Sequence, residues 1–214
     1  MDQTATTLAL HLTDRLQPTP SNDQRLVGTC RIPESGESVF SDLLERYTNE
    51  LLEKLRQQSR TLFVGLDGWH LTHAQLDEFP DPILAHSRRR IHWTFDAPAY
   101  LAFVNSLRAP LDASPVITTP SFDHAVTIQP HHRIVIIGGL YTCFSGQRRA
   151  VCLMNIERCY LRSDIEEAKQ KLVKCHVLTR ITQTLDDAHL RAEQNDIQRV
   201  IEYMLESTRI IEKH

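Results

Sequence analysis

The chain has 214 residues and a formal net charge of −3, with 24% of residues charged, a balance that offers no basic face to a nucleic acid. Its length is enough for one α/β domain with a full core. No apolar run approaches the ~18 residues of a membrane-spanning helix, and the opening MDQTATTLAL lacks the basic and apolar regions of a secretory signal.

In chain order, Thr4–Leu16 places Leu8, Leu12 and Leu16 four apart and predicts an N-terminal helix packed outside the core. Pro18, Pro20, Ser21 and Asn22 form a connector, so residues 1–22 read as a helix and its link. Arg25–Cys30 is the first, central strand. Ser38–Gln57 is an amphipathic helix burying Phe40, Leu43, Leu44, Tyr47, Leu51, Leu52 and Leu55. Leu62–Leu66 has the continuous apolar character of a strand covered on both faces. A helix over Leu71–Phe79 should end at Pro80 and Pro82, followed by an irregular basic segment to His92. Pro98–Leu107 is helical, with Asp96 or Ala97 as N-cap. Ile134–Ile137 is the clearest β run, and Arg158–Leu161 a further parallel strand. Helices over Asp164–Leu178 and Leu185–Leu205 form a lid and C-terminal region at about 164–206, and Ser207–Ile211 an edge strand.

The strand over Leu62–Leu66 breaks at Asp67-Gly68, followed by Trp69 and His70. In open parallel sheets ligands bind beyond the carboxyl ends of strands, so Asp67 is either a general base or a turn cap. Histidine is unusually common, eleven against seven glycines, and imidazole titrates near neutrality. The five cysteines lack paired spacing and fit reduced thiols in a cytoplasmic setting. His70 and His73 lack a third ligand by spacing, so no metal site is expected.

The strand, Asp-Gly-aromatic-His and helix order resembles the phosphoribulokinase/uridine-kinase family of P-loop small-molecule kinases, in its nucleoside-kinase-like branch. Further matches lie at Arg88, Arg89 and Trp93–Asp96, at Pro120, Phe122 and Asp123, and at RAEQND over Arg191–Asp196. The resemblance runs from about Arg25 to Ile211 and implies a three-layer α/β fold, with a mainly parallel sheet flanked by helices. It implies that Asp67 takes the proton of a substrate hydroxyl and that Asp96 contacts substrate. Asp96 as a plain N-cap, and Trp93 and Phe95 as plain packing residues, remain open.

The donor end departs from the family. The phosphate loop G-x-x-x-x-G-K-[ST] aligns with Arg31–Ser38, where Gly36 and Ser38 are kept, Arg31 replaces glycine and Glu37 replaces lysine. Each charge pair at ~4 Å and an effective dielectric near 20 is worth ~4 kcal/mol, so Glu37 should repel a polyphosphate. The family's Glu-Gly after the central strand is here Gly138-Gly139, and its two lid arginines are Lys171 and Cys175.

The candidate set is therefore Asp67, His70, His92 and His124 for acid–base chemistry, with Trp69, Trp93, Asp96, Asp123, Arg89 and Tyr141 lining the pocket. Arg31, Gly36 and Ser38 are the remnant of the phosphate loop. The expected function is a kinase relative repurposed for isomerisation, dehydration or cyclisation of a small molecule, without cofactor, nucleic acid or membrane. The alternatives are an ATP- and magnesium-dependent kinase of a small hydroxylated metabolite, and a non-catalytic binding or regulatory protein.

Overall fold

A computed structural model describes residues 2–30, 37–89, 91–112, 116–120, 126–139, 141–142, 156–162, 164–178, 182, 184–193 and 209–212. Five strands form one sheet: β1 (Arg25–Cys30), β2 (Arg60–Gly65), β5 (His132–Gly138), β6 (Ile156–Arg162) and β7 (Arg209–Glu212). They lie in the order β2-β5-β1-β6-β7, and every neighbouring pair is parallel. This is the mainly parallel sheet flanked by helices that the sequence implies.

Strand β5 shows why its sequence is apolar throughout. Ile134 and Ile136 point into one cluster, Val135 and Ile137 into the other, and all four are fully buried. A strand covered on both faces has no polar side to show. The first cluster lies under α1 (Asp2–Leu16) and α2 (Glu37–Lys54), the second under α5 (Ala97–Ser106).

Helix α1 corrects an expectation, for it belongs to the core. Ala5, Leu8, Ala9 and Leu12 pack with Phe40, Leu44 and Leu52 of α2 above Ile134 and Ile136. Ala5 and Ala9 keep the buried face low enough for the two helices to approach. Each buried leucine contributes roughly 1.5–3 kcal/mol.

After β2 the expected helix over 71–79 is shortened to five residues. A 3-10 turn covers Leu66–Trp69, and α3 starts only at His73 and ends at Asp77. Thr72 caps α3 reciprocally with Gln75, its hydroxyl accepting from the Gln75 N–H while its own N–H donates to Gln75 Oε1. The segment expected to be irregular carries α4 (Pro82–Ser87), capped by Asp81, whose Oδ1 accepts from the Leu84 N–H at 2.9 Å. Pro82 sits in the first turn, where its missing N–H costs nothing.

Strands β3 (Ile117–Thr119) and β4 (Val126–Ile128) pair antiparallel in a separate two-stranded sheet. Helix α6 covers Ile165–Leu178 and α7 covers Leu185–Arg191. Residues 194–205 of the predicted Leu185–Leu205 helix lie outside the described residues.

Candidate functional site

Strands β2, β5 and β1 end side by side: Gly65 is in register with Gly138, and Gly138 with Thr29. The chain leaves β2 through the 3-10 turn, which sets the Asp67 side chain outward at 76% exposure. His70, at the end of that turn, is 11% exposed, with its Nε2 3.4 Å from Asp67 Oδ1.

A second segment is bound to this turn by its backbone. The Leu71 N–H donates to the Thr94 carbonyl at 2.9 Å, and the Asp96 N–H donates to the Trp69 carbonyl at 2.8 Å. Around these bonds His70 and Phe95 form an antiparallel bridge. The His70 ring lies on Phe95 with centroids 4.0 Å apart. Phe95 meets Tyr141 edge to face at 5.3 Å, and Tyr141 meets His92 at 6.2 Å. Asp67, His70, His92 and Tyr141 are thereby gathered around Phe95, which sequence reasoning left open as a packing residue.

Other candidates fall differently. Trp69 was expected to wall the pocket, yet it is 3% exposed and packs against Tyr100 and Phe103 at 5.4 and 4.8 Å. It is a core side chain, because the 3-10 turn rotates position 69 inward while leaving position 67 outside. Tyr141, also 3% exposed, supports the rings from beneath. Trp93 is half-buried against Phe79 at 5.6 Å. Asp96 is the N-cap of α5, its Oδ1 accepting from the Ala99 N–H at 3.0 Å. Arg89 donates from Nη1 to His73 Nε2 at 3.1 Å. Lys171 donates to Glu167 at 2.6 Å, and Cys175 is half-buried and in no disulfide among the described residues. Arg31, Gly36, Asp123 and His124 lie outside the described residues, as does the side chain of Ser38, which stands in the first turn of α2.

The donor rim is shaped by what stands beside its glycines. A Cβ on Gly138 would fall 2.5 Å from Phe63 Cε2 and 3.1 Å from Thr29 Oγ1. Gly139 has φ +155°, and a Cβ there would fall 2.4 Å from Leu66 Cβ, so its conformation favours glycine, whereas a side chain at 138 would have to displace the Phe63 ring. The Phe63 ring occupies the ground that a carboxylate-bearing residue at 138 would need. The described residues at this rim therefore do not fit the acidic group of a magnesium–nucleotide site, and among them no cluster of three metal-ligating side chains occurs.

Sequence reasoning also passed over Arg191. It donates to the Ser87 carbonyl and, at 3.2 Å, to the Arg89 carbonyl, joining α7 to the end of α4. The signal was the RAEQND match, quoted without assigning its arginine a task.

A parallel sheet with helices on both faces, and an aspartate beyond the end of β2, is the arrangement of a P-loop-kinase-like protein, and the comparisons with known proteins agree. No protein-family profile matches the chain. The ATP-dependent kinase-like protein notR' of Aspergillus versicolor is 39% identical over 127 residues, covering 54% of this chain and 73% of that one. A Schizosaccharomyces pombe protein, named provisionally as a uridine kinase, is 26% identical over 186 residues, covering 80% of this chain and 74% of that one. Among solved structures, YFH7 from Saccharomyces cerevisiae superposes with a TM-score of 0.77 at 16% identity, over 99% of this chain and 98% of that one. That likeness is one of fold. The chain belongs to the uridine-kinase-like family of P-loop kinases.

Proposed function

We propose that this family member acts on a small molecule at its acceptor rim by acid–base chemistry and does not transfer phosphate from ATP in the family's ordinary way. The observation that carries this reading is the pair of neighbouring strand ends. At β2 an exposed carboxylate stands 3.4 Å from a mostly buried imidazole. At β5 the position of the family's acid is Gly138, with Phe63 in the space a side chain would take. Glu37 in place of the phosphate-loop lysine supports the same conclusion from charge.

In this reading Asp67 is the proton acceptor and His70 the proton donor. Asp67 removes a proton from a carbon or hydroxyl beside a carbonyl, and His70 returns one to the oxygen or carbon that gains charge. Such a pair suits isomerisation, dehydration or cyclisation, in which proton removal and return balance without a co-reactant other than water. Phe95 beneath His70 fixes the plane of the imidazole.

The relatives favour a second reading, since notR' carries the name of an ATP-dependent kinase-like protein. There Asp67 would deprotonate an acceptor hydroxyl, and phosphate contacts would come from groups other than the loop lysine.

One experiment separates them. Calorimetry with ATP and magnesium is expected to show no binding below millimolar, and no thermal stabilisation at millimolar ATP. Labelled-ATP assays over a panel of small polyols and hydroxy acids are expected to show no transfer. Micromolar ATP binding with phosphorylated product would overturn the first reading in favour of the second.

A further inference from the structure

In the stretch of chain between His70 and the segment at 91–96, four side chains on α3, α4 and the turn after it form an unbroken chain. His86 Nε2 lies 2.7 Å from Asp77 Oδ1, His86 Nδ1 lies 3.2 Å from His73 Nδ1, and His73 Nε2 lies 3.1 Å from Arg89 Nη1. The two imidazoles are stacked, with centroids 5.2 Å apart and planes 17° from parallel.

The chemistry of the ends settles the protons in the middle. A guanidinium only donates, so His73 Nε2 must carry a lone pair and His73 Nδ1 the proton. A carboxylate only accepts, so His86 Nε2 carries a proton and its Nδ1 a lone pair. The His73 Nδ1–H then meets the His86 Nδ1 lone pair. Every contact is satisfied in one state alone: two neutral imidazoles in opposite tautomers.

Arg89 is held from a second side. Arg191 of α7 binds its carbonyl, while His73 binds its guanidinium. Fixing an arginine works against its side-chain rotamer entropy. With Nη1 committed to His73, the fork of Nε and Nη2 along the other edge remains. Nε is buried and has no partner among the described residues. A buried charged donor without an acceptor is costly, and a ligand oxygen that gains access to this edge removes that cost. Such a fork matches the two oxygens of a carboxylate or phosphate.

We propose that Asp77, His86 and His73 are positioning residues that hold Arg89 at the acceptor rim to receive an oxyanion of the substrate, so that the small molecule carries a carboxylate or a phosphate. This rests on the acceptor-rim reading above but not on which of its two chemistries operates.

Long-range 1H–15N spectra of histidine-labelled protein at pH 7.5 read the tautomers without any variant. The expected result is His73 protonated at Nδ1 and His86 at Nε2. His73 protonated at Nε2 overturns the relay. Oxyanion binding is read from the Arg89 Nε resonance in two separate titrations, inorganic phosphate and D-glycerate, and the stronger response identifies the substrate's anionic group. His86→Gln, which can both accept from His73 and donate to Asp77, is expected to keep both the His73 tautomer and the response. His86→Leu is expected to release the tautomer and weaken the response about tenfold. An Arg89 resonance that responds to neither anion, or equally in wild type and His86→Leu, overturns the positioning role. Phosphoryl transfer from ATP, by contrast, overturns only the preceding reading and leaves the tautomers as assigned.

Discussion

Two adjacent rims of one sheet have been built by opposite means. Beyond β2 the chain is cross-tied: a 3-10 turn, two backbone hydrogen bonds to the segment at 94–96, and a row of rings from His70 to His92. Beyond β5 it is emptied of side chains, with glycines at 138 and 139 and hydrophobic groups of Phe63 and Leu66 closed over them. The first arrangement fixes polar groups in place at the surface. The second excludes them. On the reading proposed above, the first rim is the one that holds a small molecule, and the second offers no side chain at position 138 to stand beside a nucleotide's metal.

The contrast breaks most directly at Asp67. Its side chain is 76% exposed, so Asp67→Asn should leave the melting temperature nearly unchanged. Turnover of an acceptor found by thermal-shift screening should fall by ~10²–10⁴-fold. Full turnover by a folded Asp67→Asn protein would reduce the β2 rim to a binding surface.

The closed rim is tested by Gly138→Ala. The added methyl must displace the Phe63 ring, and overpacking of this kind costs about 1–3 kcal/mol. Combining it with Phe63→Leu should recover part of that loss, and a double-mutant cycle should show positive coupling between the two sites. Additive effects in chemical denaturation would mean that Phe63 is not what closes position 138.

At Asp96 the two uses of one carboxylate separate. Removing the cap with Asp96→Ala should destabilise α5 by ~1 kcal/mol, whereas Asp96→Asn keeps an acceptor for the Ala99 N–H and should cost little. If the second oxygen also holds substrate, the Asn variant should bind it more weakly at unchanged stability. Equal affinity in isothermal titration would make Asp96 a cap alone.

The sheet was legible in the sequence because parallel strands covered on both faces must be apolar along their length. Ile134–Ile137 and Arg25–Cys30 declare themselves that way. The site was legible only in part. Asp67 and His70 were visible as a motif, but whether position 69 points in or out depends on a 3-10 turn. That turn differs from an α-helical one by only about 10–20° in ψ. The closure of Gly138 by Phe63 joins residues 75 apart in the chain, and the His73–His86 pair joins two helices of five and six residues. Such short helices are set by their caps, Thr72 and Asp81, more than by any hydrophobic period. Prolines at 80 and 82 read as breakers, although the second begins α4.

The smallest effect lies behind the closed rim, at Glu45 of α2. Its carboxyl accepts from the Phe63 backbone N–H, and burial nevertheless raises its pKa above 4.5, with Asp42 adding to the rise. A pKa higher in the folded state than in the unfolded one stabilises the fold most at low pH. That contribution is full below about 4.5 and fades as pH rises through the folded value. Glu45→Gln keeps an acceptor for Phe63 and removes the titration. The variant should therefore gain on the wild type as pH rises from 4.5 to 7, by less than about 1 kcal/mol, since the carboxyl is partly open to water. Denaturant midpoints measured along that range give the sign. A gap that shrinks with rising pH would mean that the Phe63 hydrogen bond outweighs burial, and that the strand beneath the closed rim is held by a charge rather than in spite of one.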